Sequence, residues 1–267
     1  MKFYTNCQVL RNEILVRGYE DGRRVQYREE FYPTLFVKSK KESKWKTLEG
    51  NSVEPIRPGN IQDCRDFYKK YDGVEGFEIY GNEKYLYQYI SEKYPEDEIK
   101  WDINKIKLIT MDIEVKSEDG FPSPDSCAEE LLNISIQDYT TKKIVTWGRK
   151  PYTPTQDNVT YHYYENEIEM LESFIAWWAN DYPDVITGWN CRFYDIPYIC
   201  GRIERIMGQK KMRQLSPWNY VKHEELYING RPNNIFNIAG ITTLDFMELY
   251  KKFTYVNRES YRLDHIA

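Results

Sequence analysis

The 267-residue sequence lacks the features that mark several large protein classes. Its formal net charge is −5, so the chain is not a polycation, and a nucleic-acid site would have to be a local basic stripe. The longest strongly apolar stretch, Phe174–Ala179, is far too short to span a membrane, and the N-terminus has no apolar signal-peptide core. These absences predict a soluble cytoplasmic protein without a membrane partner.

Cysteine and histidine are scarce and scattered. The five cysteines never form a Cys-x-x-Cys pair, which argues against a zinc ribbon or a disulfide scaffold and indicates reduced thiols. The three histidines are too far apart in the sequence to form a metal site by themselves. Aromatic residues, by contrast, make up 16% of the chain. Most are expected in hydrophobic cores, and the rest could serve as stacking surfaces for unpaired bases.

Length and pattern predict two domains. We expect a small α+β N-terminal domain over residues 1–103 and a second domain over residues 104–267, with the acidic stretch 95–98 as the linker. In the first domain the pattern predicts, in chain order, a hairpin around the turn Glu20-Asp21-Gly22, a strand at Leu35–Val37, a Lys/Ser-rich loop at 38–46, a Pro/Gly segment at 55–59, and helices near Ile61–Tyr71 and Glu83–Tyr94.

The second domain contains strongly apolar strands and amphipathic helices. Strands are predicted at Ile106–Val115, Leu132–Gln137, Ile144–Trp147, Val159–Tyr163 and Asp184–Gly188, helices at 166–180 and from Asp195 to Gly208, and a hairpin within 225–237 around Asn229-Gly230. Antiparallel strands followed by alternating helices and strands are the order of an RNase H-like α/β fold. That fold presents acidic residues at one edge of its sheet.

Two carboxylates interrupt the first apolar strand of this domain. Asp112 and Glu114 are two residues apart, so strand geometry places them on the same face. Neighbouring carboxylates repel each other, and a divalent cation bound by hard oxygen ligands, Mg²⁺ or Mn²⁺, would neutralise them. The alternative is a strand whose polar face meets water.

Asp195 is the third candidate ligand. It lies where a loop becomes a helix, and an aspartate at such a position is often only an N-cap. From its position alone, the ligand and the cap remain open.

These two elements together resemble known motifs. Asp112-Ile113-Glu114 resembles the Exo I motif of the family B DNA polymerases, and the segment from Gly188-Trp189-Asn190 to Tyr194-Asp195 resembles their Exo II motif. The similarity is greatest to polymerases of T-even-type bacteriophages and extends over the whole chain, more loosely in the first hundred residues. It includes Phe121-Pro122, Lys211-Met212-Arg213, Ser216-Pro217 and the run from Leu244 to Phe253.

The resemblance implies a 3′→5′ proofreading exonuclease that hydrolyses the terminal phosphodiester of DNA with two Mg²⁺ or Mn²⁺ ions. Asp112 would bridge both cations, Glu114 would help to bind the one that activates water, and Asp195 would hold the second. The implied partners are DNA (a single-stranded 3′ end or a primer-template), the remaining polymerase polypeptide and, through it, a sliding clamp. For a phage protein the location would be the host-cell cytoplasm.

Further residues are candidates for contact with DNA. Phe121 would stack on or wedge beside the frayed 3′-terminal base, or simply pack in its loop. Asn190 would contact substrate, or serve only as a turn residue. A basic run would form a phosphate-contacting stripe, or a solvated helix face. Its members are Arg202, Arg205, Lys210, Lys211, Arg213 and Lys222.

The resemblance also implies a fourth carboxylate, from an Exo III motif Tyr-x-x-x-Asp on a helix. Tyr261 and Asp264 are one residue too close, and one residue is a rotation of about 100° on a helix, so Asp264 is not assigned as a ligand. Asp245 is expected to be a structural or capping acid. The chain is therefore expected to stop before Exo III and the polymerase domain.

Three hypotheses follow. The chain is part of a proofreading polymerase and active when the rest is supplied, or it is a catalytically silent nucleic-acid-binding module, or it is a standalone exonuclease. The missing fourth carboxylate weakens the third.

Overall fold

The computed structural model describes residues 1–96, 98–117, 120–228, 230–256 and 258–267. Its contacts divide the chain into two compact units, Met1–Trp101 and Asp102–Ala267. The linker predicted at 95–98 includes Asp97, which lies outside the described residues.

The first unit combines two antiparallel sheets with two helices. One sheet has the strand order β1-β2-β3 and the other the order β5-β6-β4-β7. Its elements are β1 (Lys2–Leu10), β2 (Glu13–Glu20), β3 (Arg23–Glu30), β4 (Leu35–Lys38), β5 (Trp45–Lys46), β6 (Ser52–Ile56), α1 (Ile61–Tyr71), β7 (Ile79–Tyr80) and α2 (Tyr85–Lys93).

The predicted hairpin, third strand and two helices of this unit are confirmed. Helix α1 begins where predicted because Asn60 and Asp63 form a capping box. Strand β1 was not predicted, since most of its residues are half-buried and show no alternation. The expected Lys/Ser-rich loop and Pro/Gly segment in fact contain β5 and β6. Pro55 is tolerated in β6 because β5 pairs only with Ser52 and Val53.

The second unit is built on a mixed sheet with the strand order β11-β10-β9-β8-β12-β15. Strand β8 is antiparallel to β9 and parallel to β12, which is in turn parallel to β15. The elements are β8 (Leu108–Val115), β9 (Leu131–Asp138), β10 (Ile144–Gly148), β11 (Val159–Tyr163), α3 (Glu167–Asn180), β12 (Val185–Gly188), α4 (Asp195–Met207), α5 (Gln209–Met212), a 3-10 turn (Arg213–Leu215), β13 (Val221–Ile228), β14 (Arg231–Ile238), β15 (Thr242–Asp245), α6 (Phe246–Phe253) and α7 (Leu263–Ile266).

Every strand and helix predicted in this half is confirmed to within a few residues. Asn166 caps α3, and Gly208 ends α4 with a φ of 86°, the left-handed conformation that glycine adopts without strain. The predicted hairpin is confirmed as β13 and β14 and is longer than expected, although Asn229 in its turn lies outside the described residues. The hydrophobic core of the second unit contains Phe174 and Trp178 of α3 and Ile199 of α4, together with Ile109 and Met111 of β8.

All five cysteines, which lie in the described part of the chain, are free thiols. Within the described ranges no helix is long and apolar enough to cross a membrane.

Candidate active site

Strand β8 supplies two of the predicted ligands. Ile109, Met111 and Ile113 are buried in the core, whereas Asp112 and Glu114 are exposed on the opposite face. This alternation confirms that the two carboxylates share a face. Strand β8 is paired with β9 from Ile109 to Val115, so Asp112 and Glu114 stand on backbone that β9 holds in place, whereas β12 pairs only with residues 108–110.

Asp195 is attached to the same strand. It is the first residue of α4 and is only 4% exposed, and its Oδ1 accepts a hydrogen bond from the backbone N–H of Ile113 at 3.1 Å. The cap position of α4 is occupied by Tyr194, whose side chain makes no capping hydrogen bond. The bond to Ile113 therefore fixes the Asp195 carboxylate to β8, between the positions of Asp112 and Glu114.

The electrostatics of this group favour a cation. Burial raises the pKa of Asp195 to about 7, and the negative charge of Asp112 adds to the shift. Desolvation by the surrounding protein also raises the pKa of Asp112. The ionised forms of both carboxyls are therefore disfavoured when no positive charge is nearby.

A pocket of about 540 Å³ opens above these groups. Its lining includes Asp112, Glu114 and Asp195 together with Phe121 and Asn190, so five predicted site residues meet in one place. In the part of the chain that the structure describes, no three His, Cys, Asp or Glu side chains are grouped closely enough to hold a metal ion. The convergence of all three carboxylates to within metal-bridging distance thus stays a prediction.

Gly188, at the end of β12, allows β12 to lie close to β8, which carries Asp112 and Glu114. A Cβ atom at Gly188 would lie 2.6 Å from the carbonyl oxygen of Met111, in the adjacent strand β8. Any larger residue would push β12 away from β8 and separate the loop that follows from the carboxylates.

Comparisons with known proteins bear directly on this pocket. A family model described as DNA polymerase family B, exonuclease domain, matches residues 77–266, well over half of the chain. The chain belongs to this family. The matched span includes every residue that lines the pocket.

Several polymerases of viruses are similar to this chain. The DNA-directed DNA polymerases of Enterobacteria phage T4 and Escherichia phage RB69 are 30% and 28% identical to it, over all of this chain and 32% of each relative. The DNA polymerase catalytic subunit of human herpesvirus 7 is 26% identical over 59% of this chain and 16% of that protein. The chain thus spans about a third of the length of the phage relatives.

The exonuclease domain exposes an aromatic side chain at the pocket mouth. Phe121 is 80% exposed, and its ring centroid lies 4.8 Å from that of Tyr194. It is therefore not packed in a core, which leaves the predicted base-stacking role open. Tyr194 and Trp189 line the pocket as well. Sequence reasoning gave these two no role, although their positions beside Asp195 and Asn190 were a usable signal.

Asn190 is a turn residue. Its φ is 64°, and its carbonyl oxygen accepts hydrogen bonds from the N–H groups of Phe193 and Tyr194. Asparagine tolerates this left-handed conformation better than most residues. The turn predicted here is confirmed, and a contact between the Asn190 side chain and substrate stays a prediction.

The prediction that Arg202 contacts DNA is wrong. Arg202 is only 7% exposed, and its guanidinium forms a two-pronged ion pair with Glu167 and donates hydrogen bonds to backbone carbonyls. A phosphate could not reach it without breaking these bonds. The error arose because its partner Glu167 is 35 residues earlier in the sequence.

The remaining predicted phosphate contacts are Arg205 in α4, Lys210, Lys211 and Arg213 just after it, and Lys222 in β13. Lys210 and Arg213 are exposed, and Lys211 pairs with Glu172 at 3.7 Å. They belong to α5 and the 3-10 turn and are not part of the pocket lining among the described residues. Their contact with DNA remains a prediction.

Two further acids, Asp245 and Asp264, differ in burial and in hydrogen bonding. Asp245 is the N-cap of α6, with its Oδ1 accepting from the N–H groups of Met247 and Glu248, which confirms the predicted capping role. Asp264 is exposed in the short helix α7.

Proposed function

We propose that this chain provides the 3′→5′ proofreading exonuclease of a DNA-directed DNA polymerase that acts in DNA replication. Its reaction is hydrolysis of the 3′-terminal phosphodiester of DNA. The observation that carries the proposal is the buried Asp195 carboxylate, bonded to β8 beside the exposed Asp112 and Glu114. Membership of the family B exonuclease domain supports it.

We assign the RNase H-like fold to residues 104–267 and a small α+β N-terminal domain to residues 1–103. The mixed sheet supports the first assignment, since β8, β12 and β15 are parallel while β9 is antiparallel to β8. Separation of the chain into units near residue 101 supports the second.

The residues of the pocket fit divalent metal ions. Carboxylate oxygens are the hard ligands that Mg²⁺ and Mn²⁺ prefer. The pKa of Asp195 is raised first by burial and then by the charge of Asp112, and a bound cation would stabilise the ionised form that both disfavour. Asp112, Glu114 and Asp195 would hold two such ions. When bound, the ions lower the pKa of the attacking water and stabilise charge on the phosphate oxygens.

The protein groups position the substrate. The N–H of Ile113 orients the Asp195 carboxylate, so that this ligand does not have to be ordered when DNA binds. Phe121 offers an exposed ring, backed by the half-buried Tyr194, on which an unpaired 3′-terminal base can stack. A base that remains paired in a duplex cannot present its face to these rings, so they would favour a frayed, mismatched end.

The proposed partners are a single-stranded 3′ end of DNA, a primer-template, the remaining polymerase polypeptide and, through it, a sliding clamp. The exposed Lys210 and Arg213 would add weak, salt-dependent contacts to the DNA backbone. The proposed location is the cytoplasm of a host cell.

The test uses a 5′-labelled single strand in Mg²⁺ and a separate titration with Mn²⁺. Wild type is compared with Asp112→Ala and with the control Asp264→Ala, which removes an exposed acid of the same unit. We expect the wild type and control to bind Mn²⁺ and Asp112→Ala to lose binding. Nucleotide release should be slow, because Asp112, Glu114 and Asp195 are only three of the four carboxylates that the family resemblance implies. If the reading frame extends beyond residue 267, the longer product should release nucleotides rapidly from the 3′ end.

Two outcomes contradict the proposal. Release that persists in Asp112→Ala would place the chemistry elsewhere. Mn²⁺ binding that Asp112→Ala leaves unchanged, together with DNA binding, would favour the catalytically silent binding module instead.

A further inference from the structure

Helix α4 carries more than the Asp195 ligand. Tyr198 and Arg202 follow Asp195 by three and seven residues, a spacing that places all three side chains on one side of the helix. The Tyr198 hydroxyl donates to the carbonyl of Glu129 at 2.9 Å and accepts from its N–H at 3.1 Å. Tyr198 thereby reaches the connection between β8 and β9. Residues 120–131, which run from this connection to the first residue of β9, are called the wall segment below.

A buried ion pair between Arg202 of α4 and Glu167 of α3 makes further hydrogen bonds to the wall segment. The Nε and Nη2 atoms of Arg202 lie 2.9 and 2.6 Å from the two carboxylate oxygens of Glu167. The Nη1 atom of Arg202 donates to the carbonyls of Cys127 and Ala128, at 3.2 and 2.7 Å. Glu167 Oε1 in turn accepts from the N–H of Leu131 at 2.8 Å. Both partners of the ion pair thus bind the backbone of the wall segment, Arg202 through carbonyl groups and Glu167 through an N–H group.

The wall segment leads from this anchor to the pocket. The N–H of Cys127 donates to the carbonyl of Ser123 at 3.0 Å, so the turn between the anchor and Pro122 is internally bonded. Phe121, at the other end, contacts Tyr194, and Tyr194 contacts Tyr198 with ring centroids 5.8 Å apart. The ring of Phe121 is therefore connected to the anchor by backbone on one side and, on the other, by the rings of Tyr194, which precedes α4, and Tyr198 in α4.

A buried ion pair by itself contributes little to the stability of a fold. Apolar residues of similar volume often stabilise a protein equally well, because they avoid the cost of removing two charges from water. Here each partner also satisfies backbone groups of an irregular segment, a task that an apolar side chain cannot perform.

We propose that Arg202 and Glu167 are positioning residues for the exonuclease pocket, which set the place of Phe121 and thereby the affinity for an unpaired 3′-terminal base. The proposal rests on the proposed function, since it assumes that the pocket receives such a base. Neither residue touches the substrate.

The test replaces both partners together, Glu167→Leu with Arg202→Met, so that no buried charge is left alone and folding is retained. Arg202→Lys is the milder variant, which keeps the charge and loses the two-pronged geometry. The control is Trp178→Phe, which removes a buried hydrogen bond to the Leu215 carbonyl and makes none to the wall segment. It perturbs the core of the same unit without touching the anchor.

Two readouts are taken in Ca²⁺, which avoids cleavage. Hydrogen exchange compares the wall segment with residues 108–113 of β8. Fluorescence of a single strand ending in 2-aminopurine reports binding and stacking of the 3′ base. We expect the paired substitution to speed exchange in the wall segment alone and to weaken oligonucleotide binding about 10-fold, as a displacement of a fraction of an ångström can. Phe121→Ala should weaken binding similarly, and adding the pair substitution to it should weaken binding no further.

Exchange that is unchanged in the wall segment would overturn the anchor. Faster exchange with unchanged affinity, or effects that add to Phe121→Ala, would show a structural role only and also overturn the proposal. A wild-type chain that binds no oligonucleotide, with exchange that still responds to the pair, would overturn the proposed function and show that the anchor serves something else.

Discussion

Asp195 and Asp245 occupy equivalent places in adjacent parts of the fold. Each is buried, with 4% and 2% of its surface exposed, and each stands at the start of a helix that follows one of two neighbouring parallel strands, β12 and β15. Asp245 receives hydrogen bonds from the N–H groups of Met247 and Glu248 in its own helix and of Arg192. Asp195 instead receives one from Ile113 in a different strand.

This difference separates an aspartate that caps a helix from one that is the proposed ligand. The donors around Asp245 satisfy its carboxylate where it lies and cap α6. The pKa of Asp195 is raised to about 7 by burial and by the charge of Asp112, so its ionised form lacks comparable support. A buried carboxylate that the fold does not neutralise is a group that a cation can stabilise.

The largest expected effect is that of Asp195→Asn on the free energy of unfolding, measured in a chelator so that no metal ion is bound. The pKa of Asp195 is above its ordinary value of 3.8, so between about pH 4 and 7 the folded chain keeps a proton that the unfolded chain has lost. Stability from this group therefore falls as the pH rises through that window. Asp195→Asn should be more stable than wild type at pH 8 by up to about 4 kcal/mol, the equivalent of three pKa units.

Chemical denaturation of both proteins in EDTA at pH 5 and 8 measures this gain. The gain should shrink toward pH 5 and disappear near pH 4. A gain that is equal at both pH values would show that the Asp195 carboxyl has an ordinary pKa.

Metal affinity should separate the two aspartates next. Asp195→Ala removes a proposed ligand, so Mn²⁺ binding should weaken by about 100-fold or more, whereas Asp245→Ala should change it by less than about 3-fold. Titration calorimetry at pH 7.5 on folded samples would decide. Equal losses in both variants would end the distinction between ligand and cap.

Loss of the cap should be the clearest effect at Asp245. Asp245→Ala leaves the N–H groups of Met247 and Glu248 without their acceptor and should lower the free energy of unfolding by about 1–2 kcal/mol. Asp245→Asn keeps one acceptor oxygen and should recover part of this loss. Thermal melts of the three proteins in EDTA are sufficient, and no loss in the alanine variant would refute the assignment.

The smallest expected effect concerns the charge of Asp112. Asp112→Asn removes the second-largest cause of the raised pKa of Asp195, so that pKa should fall, but only part of the way, because burial is the larger cause. Carbon-13 NMR of labelled aspartate carboxyls, followed from pH 4 to 9, would measure it. Complete return to an ordinary pKa would mean that charge, not burial, dominates this site.

The features that could be predicted from the sequence are those that depend on near neighbours in the chain. The common face of Asp112 and Glu114 follows from the two-residue period of a strand, and helix α1 follows from its capping box. The catalytic assignment of the two motifs came from their resemblance to a family, and the family match confirms the resemblance. Strand β1 escaped prediction because its half-buried residues carry no period.

The sequence by itself determined which residue types stand on one strand face and where most helices and strands run, because these are set by backbone geometry over a few residues. Only the tertiary structure decided that Asp195 is bonded to β8 instead of capping its own helix, and that Arg202 is an internal anchor and not a DNA contact. Their partners, Ile113 and Glu167, are 82 and 35 residues away in the chain. Hydrogen bonding and desolvation act through space, so no local pattern reveals them.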